Sequence, residues 1–169
     1  MTLEEVLPGV RVMEAAGVSW GAPVAGLEYD SRRVDPRFLF FAFPGARADG
    51  RQFAQDAMAK GAVAVVSESD RPEQFAGGWI RVEHGRRALA VAARNFYRAP
   101  DQRLKLTGIT GTNGKTTTSF LIDSILRSAG KTTGLTGTIE YHVGAHVLPA
   151  ANTTPESLDL FRILDQVER

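Results

Sequence analysis

A glycine-rich segment at residues 108–118, with the sequence GITGTNGKTTT, carries residue types that bind phosphate. Glycines let the backbone curl tightly, so that successive N–H groups can point inward and surround an anion. Lys115 would reach the β- and γ-phosphates of a nucleotide, and the hydroxyl of Thr116 would coordinate Mg²⁺. These two residues are therefore the catalytic candidates, and Thr116 is the candidate metal ligand. The full set of candidate phosphate-binding residues is Thr110, Gly111, Thr112, Asn113, Gly114, Lys115, Thr116 and Thr117.

The glycine spacing differs from that of the standard phosphate loop. That loop has a glycine five positions before the glycine of the Gly-Lys pair, whereas this chain has Ile109 there and a glycine one position earlier, at Gly108. The context still favours a phosphate site, because an apolar segment precedes the loop and an amphipathic helix follows it. The alternative is a glycine-rich turn with a chance Lys-Thr pair. A phosphate loop alone does not specify a reaction, since kinases, GTPases and ligases all use one.

The rest of the sequence alternates between strand and helix patterns, which predicts an α/β fold. Predicted strands cover 24–30, 38–43, 62–67, 79–82, 104–109 and 132–137, with a hairpin at 139–149 around Gly144. Predicted helices cover 2–7, 53–60, 86–98, the segment from the glycine-rich loop to Gly130, and the segment from about Pro155.

The Ala99-Pro100-Asp101 segment predicts a boundary between two domains, at 1–100 and 101–169. The second domain shows only two or three strands, whereas a nucleotide-binding sheet normally has about five or six. We therefore expect the second domain to be cut short.

Composition excludes several classes of site. The net charge is +1, without the basic excess that nucleic-acid or anionic-membrane binding requires, and no apolar run approaches the ~18 residues of a membrane helix. The chain has no cysteine, which excludes disulfides, thiolate metal sites and cysteine nucleophiles. His142 and His146 lie in the predicted hairpin without an obvious carboxylate partner, so we expect solvated histidines rather than metal ligands.

Several segments in addition to the glycine-rich loop resemble one enzyme family, the Mur ligases, and within it the branch that forms the UDP-linked tripeptide. The family's loop shares the shifted glycine found here. The similar segments run in the family's order along almost the whole chain: YDSRRV (29–34), FLFFAFPG (38–45), DGRQFAQDA (49–57), KGAVAVV (60–66), RNFYRAP (94–100), GKTTGLTGTIEY (130–141) and NTTPESLDL (152–160).

The resemblance implies a small N-terminal α/β domain that binds a uridine nucleotide, followed by the start of a P-loop central domain with a mostly parallel sheet. It implies a cytoplasmic, monomeric ligase that uses ATP and Mg²⁺. The substrates would be UDP-N-acetylmuramoyl-L-Ala-D-Glu and a diamino acid, joined through an acyl phosphate, with no nucleic acid or membrane as partner.

The resemblance also assigns substrate-binding residues. Ser31 would contact the UDP moiety, with Asp30 and Arg32 shaping its loop, and the loop at 46–48 would lie near the nucleotide. Asn152, Thr153 and Thr154 would help to hold the UDP-muramoyl-dipeptide. The alternatives are structural: residues 30–32 can be an ordinary polar turn, and Thr154 can be the N-cap of a helix whose first residue is Pro155.

The sequence departs from the family pattern in three places. Arg37 follows Pro36 where the family usually has Gly-Asp, and Arg51 stands where the family usually has histidine. The family also has three domains, and the resemblance here reaches only into the second. We therefore expect this chain alone to have little or no ligase activity. The alternative functions are another Mur or folylpolyglutamate-type ligase, a non-catalytic UDP-sugar-binding module, and an unrelated P-loop kinase or GTPase.

Overall fold

The computed structural model divides the chain into two compact units, Met1–Arg98 and Ala99–Arg169. It describes residues 1–45, 49–143, 146–149 and 154–168.

The first unit is a five-stranded sheet with helices on both faces. Its elements are α1 (Leu3–Val6), β1 (Val12–Ala16), β2 (Gly26–Glu28), a 3₁₀ turn (Ser31–Arg33), β3 (Phe38–Ala42), a second 3₁₀ turn (Gly50–Phe53), α2 (Ala54–Ala59), β4 (Ala64–Ser67), β5 (Trp79–Val82) and α3 (Gly85–Phe96). The strand order is β1-β5-β4-β3-β2. Strands β2 to β5 are parallel, and β1 pairs antiparallel with β5.

The sheet buries both of its faces, as parallel sheets do. On one face Phe40 and Val65, which are in register, pack in one cluster with Ala54 and Ala57 of α2. On the helix α3 side, Leu89 is fully buried and the amide of Asn95 donates to the carbonyl oxygens of Val6 and Pro8, at 2.9 and 2.8 Å. These bonds tie the end of α1 to α3.

The sequence patterns located most elements of this unit. The predicted first helix is present and begins with a complete capping box of Thr2 and Glu5, and β5 has the predicted bounds. Strand β1 was not predicted, because its side chains are exposed or half-buried and carry no apolar run. Its strand character comes from its backbone pairing with β5.

The second unit contains α4 (Lys115–Ser128), β6 (Gly134–Thr136), β7 (Glu140–Val143), β8 (His146–Pro149) and α5 (Ser157–Glu168), after a 3₁₀ turn at Pro100–Gln102. The three strands form an antiparallel sheet in chain order, which includes the predicted hairpin. Tyr141 and Val143 pack with Ile163 and Val167 of α5. The helix passes so close to β6 that a Cβ on Gly134 would lie 2.5 Å from a methyl group of Val167.

The predicted strand at 104–109 is wrong. A strand exists only where its N–H and C=O groups pair with a neighbour, and no strand pairs with this segment among the residues described. The helix after the glycine-rich loop is present, but its predicted apolar face is largely exposed: Leu121 and Ile125 are 59% and 67% accessible. Instead, the face that packs inside this unit buries a carboxylate, Asp123.

The mixed α/β class predicted from the sequence is confirmed. In the part of the chain described, no helix combines the length and apolar character needed to cross a membrane.

Candidate functional site

The parallel strands of the first unit place several polar loops at one edge of the sheet. Because β2 to β5 run in the same direction, the segments that follow them emerge at their shared carboxyl edge. Ligands of open α/β sheets characteristically bind outside that edge. The segments there are 29–33 after β2, 43–45 after β3, 68–70 after β4 and 83–85 after β5.

Ser31 lies in the first of these segments and is 9% exposed. Its carbonyl oxygen accepts a 2.6 Å hydrogen bond from the ammonium of Lys60. Among the residues described, its hydroxyl has no hydrogen-bond partner. The hydroxyl of this largely buried serine therefore has a free hydrogen-bonding capacity at the carboxyl edge.

Asp30 and Arg32 bond to each other on either side of Ser31. The Asp30 carboxylate accepts from the Arg32 backbone N–H at 3.0 Å and from its guanidinium at 2.7 to 3.2 Å. The Arg32 side-chain hydrogen bonds hold the pKa of Asp30 below its ordinary value. This pair closes the 3₁₀ turn with Asp30 as its N-cap.

Three further side chains at this edge were not predicted as site residues. Tyr29 and Phe43 stack with their ring centroids 6.2 Å apart, and the Arg86 guanidinium lies 4.9 Å from the Phe43 ring centroid. Arg86 also donates to the Pro44 carbonyl oxygen at 3.3 Å. They were missed because residues 29, 43 and 86 become neighbours only when β2, β3 and the start of α3 are aligned.

Arg51, at the position where the family usually has histidine, bridges two loops. It pairs with Asp49 and donates to the Ser69 hydroxyl at 2.6 Å. Its side-chain hydrogen bonds hold the pKa of Asp49 below its ordinary value. The neighbouring predicted loop at 46–48 lies outside the described residues.

The glycine-rich loop in the second unit lies directly before helix α4. Gly111 and Gly114 have φ angles of +153° and +78°, which side-chain-bearing residues rarely adopt. A Cβ on Gly114 would meet no atom within 4 Å, so the loop faces open space. Lys115 begins α4, and its ammonium folds back to within 2.6 Å of the Gly111 carbonyl oxygen.

The donor set of this loop fits a phosphate group. The helix N-terminus carries free N–H groups and about half a positive charge, and the Lys115 ammonium adds a full one. The Thr116 hydroxyl lies in the first turn, while Thr110, Thr112, Asn113 and Thr117 are exposed around it. In the described part of the chain no group of three or more acidic or histidine side chains could hold a metal on its own. At this loop, the Thr116 hydroxyl is the protein group that would coordinate a phosphate-bound Mg²⁺.

Of the predicted substrate residues near the chain's last helix, Asn152 and Thr153 lie outside the described residues. Thr154 is exposed and precedes α5, but it is not the N-cap. The helix begins at Ser157, and the Glu156 carbonyl oxygen accepts from the Leu160 N–H, which gives Glu156 the capping position. The capping role that was the structural alternative for Thr154 is therefore wrong, since the helix begins two residues after Pro155.

His142 also contradicts its prediction. It is 9% exposed, and its ring nitrogens lie 2.8 Å from carboxylate oxygens of Asp123 and Glu140. Asp123 further accepts from the Thr133 hydroxyl at 2.5 Å and from Arg127 at 3.0 Å. The prediction missed Asp123 because it is 19 residues away in sequence, and it missed Glu140, which is only two residues away in the same strand. His146 is exposed, as expected.

Comparison with known proteins places both units in one enzyme family. Residues 23–97 match the Mur ligase family catalytic domain, and residues 109–169 match the Mur ligase middle domain. The UDP-N-acetylmuramoyl-L-alanyl-D-glutamate--2,6-diaminopimelate ligase of Solibacter usitatus (strain Ellin6076) is 59% identical over 170 residues, covering 100% of this chain and 34% of that protein. The chain belongs to the Mur ligase family.

Solved structures extend the comparison to the fold of this Mur ligase chain. A UDP-N-acetylmuramoyl-L-alanyl-D-glutamate--2,6-diaminopimelate ligase matches 99% of the chain, and 33% of its own, with a TM-score of 0.70 and 29% identity. A MurF ligase from Thermotoga maritima in complex with ADP matches 82% of the chain, and 28% of its own, with a TM-score of 0.54 and 25% identity. The chain thus spans about a third of the length of the relatives it matches.

The contacts of His142 with Glu140 and Asp123 shift the pKa values of His142 and Asp123 in the second unit of the Mur ligase chain. The hydrogen bond to Glu140 raises the pKa of His142 above its ordinary 6.5, burial opposes this, and Asp123 adds to it. Burial alone would raise the pKa of Asp123, but its hydrogen bonds to Thr133, His142 and Arg127 outweigh burial and lower it below 3.8. The charge pairing of Asp123 with His142 therefore stabilises the folded unit most between pH 3.8 and pH 6.5, the ordinary pKa values of the two groups.

We predict that this stabilisation is lost as pH rises through the raised pKa of His142, or falls through the lowered pKa of Asp123. Histidine ring proton shifts, followed by NMR against pH, should place the His142 midpoint above 6.5. Asp123→Asn should lower that midpoint, while Asp56→Asn in the first unit should leave it unchanged. A His142 midpoint at or below 6.5 in the unmodified chain would contradict the charge pairing.

Proposed function

We propose that this chain provides two nucleotide sites of an ATP-dependent ligase that adds a diamino acid to UDP-N-acetylmuramoyl-L-Ala-D-Glu. Residues 1–100 would bind the UDP precursor, and residues 101–169 would form the first part of the ATP-binding domain. The 59% identity to a diaminopimelate ligase carries the proposal, because it extends over the whole chain and so includes both candidate sites. The proposal places the ligase in the cytoplasm as a monomer.

On the ATP side, this chain's residues would bind and neutralise phosphate. The loop around Gly111 and Gly114 presents backbone N–H groups, and Lys115 is already folded over the loop. Thr116 would supply the protein's hydroxyl ligand to Mg²⁺. The ion, when bound, neutralises phosphate charge during phosphoryl transfer.

The reaction explains why one chain needs both sites. A carboxylate is a poor acylating agent, so the D-glutamyl carboxylate of the precursor must acquire a phosphate leaving group before an amine can displace it. Holding precursor and nucleotide together makes that transfer effectively unimolecular. Ser31, with Asn152, Thr153 and Thr154, would hold the precursor, and Lys115 with Thr116 would hold the phosphates.

Replacing Ser31 tests the precursor site. We expect Ser31→Ala to weaken binding of UDP-N-acetylmuramoyl-L-Ala-D-Glu about tenfold, because a hydrogen bond to a charged ligand group contributes roughly 1.5–3 kcal/mol. Isothermal titration of the 169-residue chain measures the affinity, and Ser19→Ala, at an exposed serine of the same unit, is the matched control. Equal affinities of Ser31→Ala and the unmodified chain would remove Ser31 from the site.

Replacing Lys115 tests the phosphate site. We expect Lys115→Met to weaken Mg-ATP binding at least tenfold, because it removes the ammonium but keeps the aliphatic stem. Lys131→Met removes an exposed lysine of the same unit and should bind Mg-ATP as the unmodified chain does. If both variants bind Mg-ATP equally well, the segment is a glycine-rich turn and not a phosphate site.

A further inference from the structure

The turn that contains Ser31 rests on a buried carboxylate. Glu28 ends β2 and is only 1% exposed. One carboxylate oxygen accepts from the backbone N–H groups of Tyr29 and Asp30, at 3.0 and 3.3 Å, and the other lies 3.3 Å from Arg33. These bonds hold both ends of the turn.

The burial of Glu28 is unusual on energetic grounds. Removing a carboxylate from water costs several kcal/mol unless it is paired and fully hydrogen-bonded. Glu28 is in register with Phe40 and, through it, with Val65, which pack against α2, so it occupies a row of the sheet otherwise filled by apolar side chains. Its charge is compensated by the backbone of the Ser31 turn and by Arg33. The position therefore favours a role in shaping this turn over a role in packing.

Lys60 holds the same turn from the end of α2. Lys60 is exposed, yet its ammonium donates to the Ser31 carbonyl oxygen at 2.6 Å, although the two residues are 29 positions apart in sequence. An exposed lysine normally loses side-chain entropy when it is held in one geometry. Here the bond holds the carbonyl group of Ser31, and so fixes the backbone from which the hydroxyl-bearing side chain projects.

We infer that Lys60 and Glu28 are positioning residues that pre-orient the Ser31 hydroxyl for a UDP-linked ligand. The inference rests on the proposed function of the first unit. Glu28 holds the backbone on the N-terminal side of Ser31, and Lys60 holds the Ser31 carbonyl group. Neither residue needs to touch the ligand. A turn that is already ordered before binding does not lose conformational entropy when the ligand binds, and the affinity is higher for that reason.

A double-mutant cycle on the 169-residue chain separates positioning from direct contact. Binding of UDP-N-acetylmuramoyl-L-Ala-D-Glu is measured for the unmodified chain, Lys60→Met, Ser31→Ala and the double variant. We expect Lys60→Met to weaken binding about fivefold, as the loss of one hydrogen bond does. The double variant should bind no more weakly than Ser31→Ala alone, because Lys60 acts through the hydroxyl that is already absent.

Conservative variants complete the test. Lys60→Arg keeps a donor and should restore affinity to within about twofold, while Lys131→Met should change nothing. Glu28→Gln should also weaken binding. Fluorescence of buried Trp79 checks that Glu28→Gln remains folded. If Glu28→Gln unfolds, the Lys60 variants still test the inference, because Lys60 is exposed and its replacement does not disturb the core.

Each outcome decides one question. If the unmodified chain binds the precursor and Lys60→Met binds it equally well, the positioning role is wrong and the proposed function stands. If the losses from Lys60→Met and Ser31→Ala multiply in the double variant, Lys60 acts on the ligand independently of Ser31, which also overturns the inference. If the unmodified chain does not bind the precursor, the proposed function and the inference fail together.

Discussion

Parallel pairing of β2 to β5 is the constraint on which the first unit depends. Each parallel connection must cross a face of the sheet, so these four strands end at the same edge and the loops that follow them emerge there. Ser31, Phe43 and Arg86 are far apart in sequence but follow β2, β3 and β5 for this reason. The sheet therefore creates a site from loops that share no local sequence pattern.

Buried carboxylates connect the framework to the loops in both units. Glu28 accepts hydrogen bonds from the backbone of the turn that contains Ser31. Asp123 lies in α4, the helix that follows the glycine-rich loop, and contacts Thr133 and His142. Such groups are costly to bury and are strongly destabilising when a partner is lost. The stability of each unit therefore depends on one buried carboxylate that keeps its partners.

Local chemistry made much of this structure predictable from the sequence. Apolar runs located β3 and β5, and a glycine-rich loop before a helix located the phosphate-binding candidates. The errors arose where long-range pairing decides the outcome. Residues 104–109 have strand composition but no partner strand in the described region. His142 reaches Asp123, 19 residues away, only because the chain folds α4 against the hairpin. The exposed strand β1 is defined by its neighbour alone.

The central claim is that one chain carries separate sites for a UDP-linked precursor and for ATP. Backbone amide shifts of the ¹⁵N-labelled 169-residue chain, followed by NMR with each ligand in turn, test it most directly. The account predicts that the precursor shifts amides in 29–33, 43–45 and 83–86 at the carboxyl edge, and that Mg-ATP shifts those in 110–117. Precursor-induced shifts at the opposite edge of the sheet, or no Mg-ATP response in the glycine-rich loop, would contradict it.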